Sequence, residues 1–155
     1  MADARPKQAQ TKADVILRGG TILSMDPERR ILRPGSVALV GHEIAALGPV
    51  GEIDGAWESD TVVDCSDHVV MPGLINTHTH SPMSLLRGLA DDLRLDVWLY
   101  GYILPVERQF VNPEFCFLGT SLACAEMLRS GTTCFADMYY HEEEVAWAAV
   151  QAGMR

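Results

Sequence analysis

Two histidines separated by a single residue carry the clearest chemical signal in this 155-residue sequence. His78 and His80 follow the apolar run at residues 69–75, which predicts a β-strand. Side chains two positions apart on a strand point to the same face, with Cα atoms about 6.5–7 Å apart, so both imidazoles can reach one ion. Neutral imidazole nitrogens are donors that zinc and similar divalent metals favour. The spacing predicts a metal site, although two polar residues that merely close a strand would look the same.

The first part of the chain is rich in β-forming residues. Residues 1–13 are polar and lack hydrophobic periodicity, which predicts a disordered tail. Over residues 14–66, short β-rich runs alternate with turn residues such as Gly19-Gly20 and Gly41-His42, which predicts a small sheet of hairpins. Residues 48–60, rich in Gly and acids, are expected to form a loop before a further strand at residues 61–65.

From residue 67 onward the pattern changes to alternating strands and helices. Residues 69–75 predict a strand covered on both faces, with Pro72 at its start or at a bulge. A helix is expected over residues 112–129, and a further strand and helix are expected at residues 132–138 and 142–153. The apolar face expected for the first helix consists of Leu118, Leu122, Ala125 and Leu128. Strand, helices, strand and helix together indicate an α/β fold with a parallel sheet.

Composition excludes several classes of partner. The chain has 21 acidic and 12 basic residues and a formal net charge of -9, which argues against binding to nucleic acid or to an anionic membrane. It contains no stretch near the ~18–20 apolar residues of a membrane span, and its first residues lack the apolar core of a secretory signal. These features favour a cytoplasmic protein. The four cysteines show no CxxC spacing and are expected to be reduced, mostly buried thiols.

The string at residues 77–93, followed by Trp98-Leu99 and by Leu104-Pro105-Val106-Glu107, resembles the amidohydrolase superfamily. Within it, the closest resemblance is to the branch of 5-methylthioadenosine/S-adenosylhomocysteine deaminases, s-triazine hydrolases and guanine deaminase-like enzymes. The resemblance implies the N-terminal part of a metal-dependent (β/α)8 barrel preceded by a small β-sandwich segment. The expected organisation is a tail at residues 1–13, part of the β-sandwich at 14–66 and the first β/α units at 67–155.

The resemblance also implies roles for particular residues. His78 and His80 would hold one divalent metal, zinc with iron as the alternative, together with a histidine and an aspartate that have no counterpart here. Glu107 matches the position that contacts the substrate ribose; a solvated acid beside Arg108 is the alternative. Trp98 would wall the pocket or simply pack. For His141 and Asp137 a structural role is favoured over contact with substrate.

The implied activity is hydrolysis of a C–N bond of a purine-type ring, most simply deamination of 5-methylthioadenosine or S-adenosylhomocysteine. An s-triazine chloro- or aminohydrolase, a guanine deaminase and a non-catalytic scaffold are the alternatives. The expected partner is a small aminopurine nucleoside or related heterocycle, and a homo-oligomer of the parent protein is compatible with the resemblance. Because a complete barrel needs ~200–250 residues and about 90 follow Cys65, the sequence is expected to be the N-terminal portion of a longer enzyme, with its general acid and base downstream.

Overall fold

The computed structural model describes residues 9–155, which fall into two compact units, one ending at Pro72 and the other spanning residues 73–155. Most of the predicted tail, residues 1–8, lies outside the described residues. Thr11 and Lys12 differ from the prediction, because they form a short strand paired with Trp57 and Glu58. Ala13 is buried in the core of the first unit, and this apolar contact explains why the residues just before position 14 belong to that unit.

The first unit is built on a five-stranded mixed sheet. Antiparallel pairing joins the second, third and fourth strands, and two short strands pair in parallel with the second. The elements of this unit are β1 (Thr11–Lys12), β2 (Val15–Leu23), β3 (Ile31–Val40), β4 (Glu43–Pro49), α1 (Val50–Ala56), β5 (Trp57–Glu58), β6 (Val62–Asp64) and β7 (Val69–Val70).

The segment expected to be a loop at residues 48–60 contains the helix α1, so that prediction is wrong. Ile53 is 4% exposed and packs in a small core with Ile16 and Ala38. Arg18 on β2 donates hydrogen bonds to both carboxylate oxygens of Asp54. Both contacts join residues far apart in sequence, so tertiary packing stabilises a helix that local composition did not indicate.

The second unit contains two parallel strands with helices between and after them. Its elements are β8 (Leu74–Thr79), a 3-10 helix (Ser81–Leu86), a π-helix (Val97–Ile103), α2 (Leu104–Phe110), α3 (Pro113–Arg129), β9 (Thr132–Asp137) and α4 (Glu142–Gln151). The parallel pairing of β8 with β9 confirms the predicted strand–helix–strand order. No helix in the described part of the chain is both long and apolar enough to cross a bilayer.

The apolar run at residues 69–75 is not one strand. It is divided at residues 71–73 into β7, which pairs with β2, and β8, which pairs with β9. Pro72 has no N–H to donate to a ladder, which favours a break there. Leu74 and Ile75 of β8 are 50% and 67% exposed in this chain, and β9 is the one strand that pairs with β8 among the described residues.

Helix α3 begins as predicted, with the Asn112 side chain accepting a hydrogen bond of 2.9 Å from the backbone N–H of Phe115. The predicted apolar face is wrong, however, because Leu118 and Leu122 are largely exposed. The buried residues of this helix are instead small: Cys116, Gly119, Thr120, Ala123 and Cys124. A face without large side chains allows the 3-10 helix to approach closely, and a Cβ added at Gly119 would lie 2.5 Å from the carbonyl oxygen of Pro82.

The cysteines agree with the sequence prediction. All four are free thiols, and three of them, Cys65, Cys116 and Cys124, are buried. Burial raises the pKa of the Cys116 and Cys124 thiols, and nearby carboxylates such as Asp137 raise it further. These two thiols are therefore protonated and unreactive at neutral pH.

This packing predicts that Gly119→Ala destabilises the protein by about 1–3 kcal/mol, because the added methyl overlaps backbone that cannot move away easily. The matched control is Gly101→Ala, whose new Cβ would meet Val97 at 3.9 Å, an ordinary contact. Urea-induced unfolding measures both free energies. A Gly119→Ala protein as stable as the Gly101→Ala control would contradict the close approach of the two helices.

Candidate metal centre

The two histidines of the HxH motif lie at the carboxyl end of β8. His78 is within the strand, and His80 immediately precedes the 3-10 helix at Ser81–Leu86. The neighbouring strand β9 ends at the same level, since Thr79 is paired with Asp137. The carboxyl edge of a parallel sheet is where α/β proteins commonly place their reactive groups.

The two imidazoles of the motif lie close to each other. Their ring centroids are 5.2 Å apart and the ring planes are inclined by 81°. With Zn–N bonds of about 2.0–2.1 Å and a tetrahedral angle, two coordinating imidazoles would have centroids about 5 Å apart. The observed centroid separation is close to this value and is compatible with a shared tetrahedral metal.

A hydrogen bond to Met138 selects the tautomer of the neutral His80 ring. Its Nδ1 lies 2.6 Å from the backbone carbonyl oxygen of Met138. A carbonyl can only accept, so Nδ1 must carry the proton, and in the neutral ring Nε2 keeps its lone pair. Metal-binding histidines commonly donate their second nitrogen to such a partner, which fixes both the tautomer and the ring orientation.

The residue after His80 is anchored to β9 and α3. The backbone N–H of Ser81 donates to Oδ2 of Asp137 at 2.8 Å, and the Ser81 hydroxyl lies 3.0 Å from that of Thr120. These contacts bear out the structural, hydrogen-bonding role predicted for Asp137. Its other oxygen, Oδ1, is the single buried side-chain oxygen or nitrogen without a partner among the residues described.

Two imidazoles are half of the four donors that a tetrahedral metal takes. Within residues 9–155, no three His, Cys, Asp or Glu side chains come together in a group that would hold a metal. His42 and His68 belong to the first unit, and the sequence assigned them no function. His141 begins α4 in a left-handed backbone conformation with φ of 52°.

Glu107, the predicted substrate-binding acid, is on α2 and only 8% exposed. The alternative of a solvated surface acid is therefore wrong. Its Oε1 accepts a hydrogen bond of 2.8 Å from the Tyr139 hydroxyl. Burial raises the pKa of the Tyr139 phenol, and the hydrogen bond to Glu107 raises it further, so the phenol remains a donor at physiological pH.

His80 and Glu107 line two different cavities. A cavity of about 700 Å³ is bordered by His80 and Trp98, and a smaller one of about 300 Å³ is bordered by Glu107 and His141. Tyr139 connects the two residues, because its ring centroid is 6.3 Å from that of His80 while its hydroxyl contacts Glu107. Tyr139 belongs to no motif recognised in the sequence, although its place two residues after the end of β9 is a signal that could have identified it.

The chain is similar to several known proteins. Residues 69–155 match the Amidohydrolase family. The chain is 48% identical over 145 residues to a 5-methylthioadenosine/S-adenosylhomocysteine deaminase of Syntrophobacter fumaroxidans, covering 94% of this chain and 33% of that protein. It is 44% identical over 143 residues to a 5'-deoxyadenosine deaminase of Methanosarcina barkeri, covering 92% of this chain and 32% of that protein.

Among solved structures, an adenosine deaminase from Xanthomonas campestris with bound zinc superposes with a TM-score of 0.91 at 39% identity. The match covers 95% of this chain and 34% of that one, so the chain spans about a third of the length of the relatives it matches. The predicted fold class is confirmed: a mixed α/β chain that forms the first part of a barrel, preceded by a small β-sandwich segment. By its sequence and by its fold, the chain belongs to the amidohydrolase family.

Proposed function

We propose that the whole protein is a metal-dependent aminohydrolase that deaminates adenosine-type nucleosides such as 5-methylthioadenosine or S-adenosylhomocysteine. The observation that carries this proposal is the imidazole pair, 5.2 Å apart at the end of β8, with one ring fixed in the ligating tautomer by Met138. The nucleoside class is supported by the relatives at 44% and 48% identity, whose names are those of deaminases of adenosine derivatives.

In this proposal His78 and His80 hold the metal, and zinc is favoured by the donor set and by the zinc in the Xanthomonas campestris structure. The chemistry that a divalent metal supplies in such a site is the activation of water as a nucleophile near neutral pH. The protein residues keep the geometry: Met138 holds the proton on Nδ1 of His80, and Asp137 holds the backbone of Ser81.

Glu107 is proposed to bind the sugar of the nucleoside. A buried carboxylate is a strong acceptor, and vicinal hydroxyl groups present two donors that it can accept together. Glu107 borders a cavity of about 300 Å³ whose other lining residues include Leu104 and Val111, so an apolar surface is available beside the acid. Arg108 and His141 also border this cavity, so it offers charged and polar groups as well as apolar surface to the part of the nucleoside beyond the sugar.

The metal-binding role predicts that His78→Asn and His80→Asn each weaken zinc binding by more than about 100-fold, beyond the ~10–100-fold typical of groups that only support a ligand. Competition with a chromophoric chelator measures the affinity. His42→Asn in the first unit is the matched control and should bind zinc as the unchanged protein does. Undiminished zinc affinity in either variant of the pair would rule out this metal centre.

The substrate assignment predicts ammonia release by the zinc-loaded whole protein from 5-methylthioadenosine, S-adenosylhomocysteine or 5'-deoxyadenosine. Guanine, monitored by ammonia release, and a chloro-s-triazine, monitored by chloride release, should turn over at least about 100-fold less efficiently, because neither offers a ribose to Glu107. Efficient turnover of guanine or of the triazine alone would replace the nucleoside assignment with that alternative.

The role of Glu107 predicts that Glu107→Gln raises KM for these nucleosides by about 10- to 100-fold, the range expected when a hydrogen bond to a charged acceptor is lost. Glu114→Gln, in the exposed first turn of α3, is the control and should leave KM unchanged. Steady-state kinetics with one nucleoside measures both variants. An unchanged KM for Glu107→Gln would remove this residue from the site.

A further inference from the structure

We infer that Tyr139 is a positioning residue, which orients the carboxylate of Glu107 so that the protein distinguishes nucleosides with a vicinal diol from those without one. This inference rests on the proposed function, because it concerns the same substrate. Tyr139 belongs to no predicted motif, and its role follows from three contacts of the described chain. These contacts are its hydrogen bond to Glu107, its packing beside His80 and the attachment of its backbone to α4.

The first contact, the hydrogen bond from Tyr139, engages one of the two oxygens of the Glu107 carboxylate. The Tyr139 hydroxyl donates to Oε1 of Glu107 at 2.8 Å, and it is the only side chain seen to hydrogen-bond this carboxylate within residues 9–155. An ionised carboxylate has about four lone-pair sites, so Oε2 remains available to accept from a ligand. Because Glu107 is buried, a fixed donor on one oxygen determines where the other oxygen points.

The second contact relates this acid to the metal-binding pair. Met138 and Tyr139 are adjacent in the chain, and one accepts the proton of His80 Nδ1 while the other donates to Glu107. The His80 and Tyr139 rings are also neighbours, with centroids 6.3 Å apart. A single peptide unit therefore sets the spacing between the residue proposed to hold the metal and the residue proposed to hold the sugar.

The third contact keeps Tyr139 itself in place. Its backbone N–H donates to the Glu142 carboxylate in the first turn of α4. Its ring packs edge-on against Tyr140, with centroids 5.0 Å apart. The backbone and the ring of Tyr139 are thus both restrained, so its side chain loses little conformational freedom when the hydroxyl bonds to Glu107.

The chemistry of a phenol suits this task. A neutral donor orients the carboxylate without neutralising it, whereas an Arg or Lys would form an ion pair and compete with the ligand for both oxygens. The negative charge therefore stays available for the sugar. Substrates that present two hydroxyls to this oxygen should gain from its orientation, and substrates without them should not.

The experiment compares adenosine with 2',3'-dideoxyadenosine as substrates of the zinc-loaded whole protein. Tyr139→Phe removes one oxygen atom and keeps the ring. It should raise KM for adenosine about tenfold, with kcat within about twofold, because the sugar is remote from the reacting carbon. KM for the dideoxy compound should not change. In a Glu107→Gln background, Tyr139→Phe should have no further effect on either substrate.

Tyr100→Phe, on a residue that is 69% exposed, is the matched control and should reproduce the kinetics of the unchanged protein. Circular dichroism and thermal unfolding of each variant verify the fold. Should Tyr139→Phe not fold, Tyr139→Trp is the second variant, because its ring N–H lies at a different position from the phenol oxygen. We expect the same loss of preference for the diol-containing substrate.

The possible results distinguish failure of the Tyr139 positioning role from failure of the proposed deaminase function. If the unchanged protein prefers adenosine and Tyr139→Phe keeps that preference, Tyr139 has no positioning role while the proposed function stands. An equal loss for both substrates would mean that Tyr139 only supports the fold, and this too overturns the inference. If the unchanged protein deaminates neither compound, the proposed function itself fails, and the inference fails with it.

Discussion

The hydrogen bond from His80 Nδ1 to the carbonyl oxygen of Met138 is the interaction on which the candidate site depends. It holds the ring in one tautomer and ties the end of β8 to the residue after β9. The backbone reinforces the same link, since the N–H of Met138 donates to the carbonyl of Thr79 and that of Ser81 donates to Asp137. The two chain segments therefore leave the sheet together, and the imidazole cannot turn without breaking its bond to Met138.

Helix α3 contacts the 3-10 helix that follows His80 through small and polar residues. Gly119 allows the 3-10 helix to approach, and the Ser84 hydroxyl donates to the Gly119 carbonyl at 2.7 Å. Ser81 and Thr120 share a buried hydroxyl contact. Directional hydrogen bonds define the position of a backbone more narrowly than contact between large apolar side chains, and here they fix the segment that immediately follows His80.

Local signals in the sequence predicted the parts of the fold that depend on local interactions. The Asn112 cap with Pro113 predicted the start of α3, and the HxH spacing predicted two imidazoles within reach of one ion. The buried face of α3 was predicted incorrectly, because an apolar pattern suggested Leu118 and Leu122 while the contact requires the small Gly119 and its neighbours. No spacing rule reveals that requirement, since it arises from the close approach of another segment.

The same distinction explains the break at residues 71–73 and the missed Tyr139. An apolar run predicts burial but does not show that its two ends pair with different strands, as β7 and β8 do. Tyr139 gains its importance from Glu107, which lies 32 positions earlier in the chain. The turn after a strand of a parallel sheet is nevertheless a predictable place for functional residues, so a polar aromatic side chain there is a usable signal.

The groups that orient the functional side chains of the candidate site are uncharged. His80 is supported by a backbone carbonyl and not by a carboxylate, so its orientation is fixed without an added negative charge. Glu107 is likewise oriented by a neutral phenol. One carboxylate oxygen of Asp137 accepts a hydrogen bond from the Ser81 backbone, and the other is buried without a partner in residues 9–155. Burial of an unpartnered oxygen is unfavourable, so a hydrogen-bond donor or a cation placed next to it would be stabilising. Within the part of the chain that the structure describes, Glu107 and Asp137 therefore each keep one carboxylate oxygen without a hydrogen-bond partner. The groups that orient these two carboxylates, the Tyr139 hydroxyl and the Ser81 backbone N–H, are both uncharged.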